Sequence, residues 1–143
     1  LKTDFDIDAD VWSVTSFTEL KRDAERALHH NLHNIEADKQ HSYLSQQLGY
    51  HAGPIIAATD YIRTFAEQLR AHIAQPYYVL GTDGYGRSDT RKNLRAFFGV
   101  NAKHIAYQAV YALVENKALP KEMLVKAHAL YQIPQNQVYP LDA

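Results

Sequence analysis

The run Val79-Leu80-Gly81-Thr82-Asp83-Gly84-Tyr85-Gly86-Arg87-Ser88-Asp89 constrains the fold more than any other part of the chain. It follows directly on a short apolar stretch of β-forming residues that begins at Tyr77. Glycines at 81, 84 and 86 then break the pattern, and Ser88 or Asp89 can cap a helical period that begins near Thr90. Strand, tight turn and helix start in that order are how α/β sheets build the loops at the carboxyl ends of their strands.

The same grammar recurs upstream. Asp8 to Val14 gives a first strand signal through Val11, Trp12 and Val14, and Phe17 to Leu32 reads as a helix with Leu20, Ala24, Ala27 and Leu28 on one stripe. Ser16 or Thr18 can cap it. Leu44 and Leu48 predict a short helix ended by Gly49, within a surface excursion over residues 34–53. Pro54 to Thr59 reads as a second, buried strand, followed by one helix over Tyr61 to Ile73 and a third strand from Tyr77 to Gly81. Helices carrying Leu94, Phe97 and Phe98, then Ile105, Ala109, Ala112 and Leu113, come next. Pro120 opens a last helix with the stripe Met123, Leu124, Ala127 and Leu130, and Pro134 and Pro140 keep the tail extended. Alternating strands and helices imply a mostly parallel sheet covered on both faces. Near-continuous apolar strands such as Ile55 to Ala58 suit burial on two sides.

At 143 residues the chain is one domain by length, and a chain of about 150 residues buries roughly 70% of its unfolded surface. Formal charge is −1 with the two signs interspersed, which excludes the one-sided basic footprint of a nucleic-acid binder. With no cysteine there are neither disulfides nor thiolate metal sites, and with no long apolar span or leader pattern the expected setting is the cytoplasm, away from membranes. Of the eight histidines, His29 and His33 share a helical face with His30 nearby. No carboxylate or third histidine stands at a diagnostic offset, so they read as solvated or capping residues rather than a metal site.

Asp83-Gly84 invites comparison with the Gly-Asp-Gly start of a diphosphate-bound magnesium site, but Thr82 replaces the first glycine and no Asn pair follows, near Val110 and Tyr111. The glycine run also lacks a P-loop ending and the spacing of a dinucleotide fingerprint. What it can offer is an anion-binding loop, with backbone N–H groups of Gly84 and Gly86, the Arg87 guanidinium and Ser88 at a helix start. Set against that, glycines supply positive φ, and Arg87 can pair with Asp83 or Asp89. Arg91, Lys92 and Arg95 read as a solvated basic face, while Tyr85, Tyr107, Tyr111 and Tyr139 suit either contact surfaces or the core. No nucleophile, base and orienting acid can be assembled.

Three stretches carry a resemblance along almost the whole chain: Ala9-Asp10-Val11-Trp12-Ser13-Val14-Thr15-Ser16-Phe17, Ala57 to Tyr61, and Leu80 to Asp89 continued by Asn93-Leu94-Arg95 and Phe97-Phe98. Arg22-Asp23 and Asn31-Leu32-His33 add to it. They resemble the C-terminal domain of the homodimeric, thiamine-diphosphate-dependent, decarboxylating component of bacterial pyruvate dehydrogenase complexes. His30 departs from a usual Trp and Tyr85 from a usual Phe, both locally.

The resemblance implies a three-layer α/β/α domain of transketolase type with a mostly parallel sheet, residues 1–143 forming a single, partial copy that lacks its first strand or strands. It implies an oxidoreductase that decarboxylates pyruvate and acetylates the lipoyl group of a dihydrolipoyl acyltransferase, the other partners being the enzyme's remaining domains and a second copy in the dimer. Thiamine diphosphate and Mg2+ would be held by the preceding domains, with no catalytic, cofactor-binding or metal residue in this chain, which by itself is expected to be inactive. The alternatives from the residues alone are a free-standing α/β module binding an anion at Gly84 to Ser88, and an independent hydrolase.

Overall fold

Ile55–Ala58 and Tyr77–Leu80 form strands β1 and β2, as their apolar runs require. They pair in parallel, Ile55 opposite Tyr77 and Ala58 opposite Leu80. In this computed structural model, which describes residues 1–143, these two strands are the whole sheet. Helices α1 (Lys2–Phe5), α2 (Phe17–His33) and α3 (Tyr43–Leu48) precede β1, and α4 (Thr64–Glu67) with a 3-10 turn at Arg70–His72 makes the crossover to β2. Helices α5 (Arg91–Phe97), α6 (Ala102–Glu115) and α7 (Lys121–Tyr131) follow, and a 3-10 turn at Pro140–Asp142 ends the chain.

Alternation along the strands makes three layers. Tyr77 and Val79 point to one face, where they pack with Leu44, Ala66 and Leu69 and with the partly buried Phe17 and Leu20 of α2. Tyr78 points to the other and meets Tyr111 of α6 edge-to-face, ring centroids 6.3 Å apart. A second cluster of Phe5, Val110 and Ala127 joins α1, α6 and α7. The architecture is therefore α/β/α, as expected, but on a narrower sheet.

Helix starts follow local chemistry. Ser16 Oγ accepts from the Glu19 N–H at 3.2 Å, Ser42 Oγ from Ser45 at 3.1 Å, Thr90 Oγ1 from Asn93 at 3.3 Å and Asn101 Oδ1 from His104 at 3.0 Å. Each such cap adds about 1 kcal/mol to its helix. Thr90, not Ser88 or Asp89, is the α5 cap, and Pro120 stands at the cap of α7 rather than inside its first turn.

Several expectations are corrected. Residues 8–14 are not a strand: from Ile7 to Thr15 no backbone group pairs with another, and Val11 is 94% exposed. Strand propensity there meets no neighbouring ladder, since β1 and β2 pair only with each other. Trp12 instead stacks edge-on against His51, which pairs with Asp10 at 3.3 Å. Leu28 and Leu130 turn outward rather than joining their stripes. The helix expected over 61–73 is divided, because Arg70 turns back to donate to the Tyr77 carbonyl at 2.7 Å and to Glu67, tightening the chain into the 3-10 turn. The tail is not simply extended, since Asp142 N–H bonds the Tyr139 carbonyl at 2.8 Å.

Only 14 of 143 residues are buried, and the chain exposes 9929 Å². A self-sufficient globular monomer of 16.3 kDa exposes about 7,500 Å². The excess, roughly 2,400 Å², is more than one partner gives up in a standard protein interface. No helix is long and apolar enough to cross a membrane.

Candidate functional site

The chemistry-bearing residues gather at the carboxyl ends of β1 and β2, where two adjacent parallel strands release their loops side by side. The ladder runs one step past the strands, Thr59 N–H bonding the Leu80 carbonyl at 3.0 Å. The loops then cross-link: Thr82 N–H donates to Tyr61 O at 2.9 Å and Thr82 Oγ1 donates to Asp60 O at 2.9 Å. Gly81 permits this approach, because a Cβ there would lie 2.7 Å from Arg63 Cγ and 2.8 Å from Tyr61 O.

At the centre of the seam, Asp83 accepts from the Arg63 backbone N–H at 2.8 Å and from Arg63 Nε at 2.6 Å. Arg63 Nη2 donates onward to the Tyr139 hydroxyl at 2.6 Å. Hydrogen bonding to Asp83 raises the Arg63 pKa still further above its usual value, outweighing the burial that opposes it. Asp60 lies between Arg91 and Arg95, at 3.9 and 3.8 Å. Both carboxylates of the seam thus face guanidinium groups, an arrangement that fixes the two loops against each other.

The proposed anion-loop residues fall on the outer part of this edge. Gly84 adopts φ 110°, and Gly86 lies in an open stretch of the loop. Arg87 pairs with neither Asp83 nor Asp89. Asp83 is held by Arg63, and the Arg87 guanidinium lies over the Phe97 ring, 4.1 Å from its centroid. Arg87 and Ser88 line a hollow of about 290 Å³ together with Asp89, Asn93, Leu94 and Phe97. Asp89 accepts from Thr90 N–H at 2.6 Å and Asn93 Nδ2 at 2.9 Å, and those bonds, the first above all, lower its pKa. The hollow therefore already contains a stable negative charge beside Arg87.

On α2, the His29 and His33 rings stack at 4.2 Å, and His33 Nδ1 bonds the His29 carbonyl at 2.8 Å. Tyr107 packs into the second core cluster and Tyr111 against the sheet. Tyr85, open to either a contact surface or the core on sequence grounds, is 82% exposed on the loop. No three His, Asp or Glu side chains converge in a metal-holding geometry, and the one carboxylate of the Asp83-Gly84 turn is taken by Arg63. These residues do not fit a magnesium-bound diphosphate.

Sequence reasoning singled out neither Arg63 nor the ion pairs of Asp60, and it named Tyr139 as a contact residue without its partner. A signal existed: once Ala58 and Leu80 are known to be partners, Arg63 and Asp83 leave neighbouring strand ends with opposite charge.

Residues 1–101 match the family model described as the transketolase-like TK C-terminal domain. Among curated proteins, the chain is 44% identical over 144 residues to the pyruvate dehydrogenase E1 component of Pseudomonas aeruginosa. It is 38% identical over 141 residues to that of Cupriavidus necator and 40% over 142 residues to that of Escherichia coli K12. These alignments take in 98% to 99% of the chain, which spans 16% of the length of each relative. On the parallel strands, the glycine turn that follows β2 and these matches together, the chain belongs to the transketolase-like C-terminal domain family.

Proposed function

We propose that this chain is the supporting C-terminal domain of a pyruvate dehydrogenase component that decarboxylates pyruvate and passes the acetyl unit to the lipoyl group of a dihydrolipoyl acyltransferase. The observation that carries the reading is similarity along 98% to 99% of the chain to a 16% share of E1 components. The surplus of exposed surface supports it, because a domain built to be covered by other domains and a second subunit carries such a surplus. On this reading residues 1–143 are one partial domain, α6 lying beyond the matched residues yet covering one face of the sheet. Thiamine diphosphate and Mg2+ would belong to the other domains of a cytoplasmic homodimer, where the cofactor would supply the electron sink for decarboxylation and the metal would hold its diphosphate. The contribution of this chain is positional: the Arg63–Asp83 pair and its flanking arginines hold the strand-end loops in one shape.

The test compares two polypeptides with pyruvate, thiamine diphosphate, Mg2+ and a lipoylated acceptor domain. The intact protein carrying this chain should release carbon dioxide and acetylate the acceptor, while residues 1–143 alone should do neither. Turnover by the isolated polypeptide, or none by the intact protein, would overturn the proposal. Anion capture at Gly84, Gly86, Arg87 and Ser88 is the weaker reading, since Asp89 shares their hollow. It predicts a phosphate-induced rise in melting temperature that Arg87→Ala abolishes.

A further inference from the structure

We infer that residues 133–143 form a strap that closes over the turn leaving β2, latched by the Tyr139 hydroxyl on Arg63 and seated on the bare Cα of Gly84. Three anchors define it. Gln137 Nε2 donates to the Phe97 carbonyl at the end of α5, at 2.7 Å and 40 positions away in sequence. Arg63 Nη2 donates to Tyr139 at 2.6 Å across 76 positions, with the guanidinium 5.8 Å from the ring centroid. The Pro140 carbonyl then lies so close over Gly84 that a Cβ there would stand 2.6 Å from its oxygen and 3.1 Å from its carbon. Only glycine allows that seat, and its φ of 110° is a second reason no other residue suits the position.

The strap is built to lift as a unit. Beside its anchors Val138 and Leu141 are 56% and 53% exposed, so little apolar area holds it down. Its own turn, Asp142 N–H to Tyr139 O, is internal and survives lifting. Gln132, at the end of α7, and Asn136 both adopt left-handed backbone, at φ 54° and 57°, which gives the segment a pivot and a bend. When Tyr139 leaves, Arg63 keeps both of its bonds to Asp83, so the seam beneath stays shut. What opening uncovers is the face of Gly84 beneath the Pro140 carbonyl and one face of the Arg63 guanidinium. The strap is thus a lid over the strand ends, separate from the lock that joins the two loops.

Limited proteolysis of the intact protein by thermolysin, with fragments read by mass spectrometry, tests this. Tyr139→Phe removes one hydroxyl, leaves the cleavage sites before Val138 and Leu141 intact, and should speed cutting there about tenfold or more with β1, β2 and α6 uncut. Gly84→Ala should do the same from the other side. An unchanged cutting rate at 138–141 in Tyr139→Phe, or an equal rise through the strands, would overturn the strap. Should Gly84→Ala fail to fold, Tyr139→Phe decides alone.

Discussion

Tyr77 sets its phenol within the first core cluster, where the hydroxyl donates to the Ala66 carbonyl at 2.9 Å. Burial, with the Glu67 charge adding to it, pushes this phenol up from 10.0 to about 12. The neutral form is favoured in the folded state, so its contribution is whole below pH 10 and is lost as pH climbs from there through about 12. Over that window the loss amounts to roughly 2–3 kcal/mol. Urea unfolding of wild type and Tyr77→Phe at pH 8 and pH 11 checks it: the variant starts lower by about 1–2 kcal/mol, for the missing hydrogen bond, and falls less between the two pH values. Equal slopes would refute the assignment.

His104 behaves in the opposite sense. Its N–H and its Nδ1 both meet Asn101 Oδ1, at 3.0 and 2.8 Å, which leaves a bare Nε2 buried without a partner. Burial lowers its pKa below 6.5, the Lys103 charge acts the same way and Gln137 opposes them. Protonation would also add charge at the positive end of α6. Stability from the neutral ring is therefore complete above pH 6.5 and declines as pH falls below it. A melting curve between pH 7.5 and pH 5 should drop more steeply for wild type than for His104→Gln.

Among elements, Ser16→Ala should cost about 1 kcal/mol through the loss of the α2 cap, read as a lower urea midpoint at unchanged slope. Residues 9–15 should exchange their amides at near-unprotected rates in the isolated chain, since none of those groups is paired there. These two segments also divide what could be read from sequence. A cap and a stripe are local, so α2 and α3 follow from residues three or four apart, and α5 begins near Thr90 as read, though with Thr90 and not Ser88 or Asp89 as its cap. Pairing is not local. Val11, Trp12 and Val14 have strand character, yet the neighbour that would make them a strand is no property of those residues. The crossover after β1 failed for a similar reason: its apolar period is real, but Arg70 reaching Tyr77 O ends the helix early. At the candidate site the glycine turn was plain, whereas the Arg63–Asp83 bond required knowing which two strands adjoin.

At the scale of the whole molecule, burial is the governing fact. Trp12, Leu32, Ile35, Phe65 and Val125 are all exposed, and the sheet has two strands where a self-sufficient α/β domain has about four to six. The 143-residue chain expressed alone should therefore bind a hydrophobic dye such as ANS and associate at micromolar concentration, as light scattering would record. A monomer that ignores the dye would mean that its exposed apolar surface has found cover within the chain.

The Arg63–Asp83 bond has a consequence for how the strands find their alignment. Sliding β2 by one residue along β1 would carry the carboxylate about 3.3 Å away from its guanidinium, breaking both contacts at once. With four residue pairs in the ladder, backbone bonding alone distinguishes weakly between alignments. A charged rivet just beyond the last rung makes one of them the ground state.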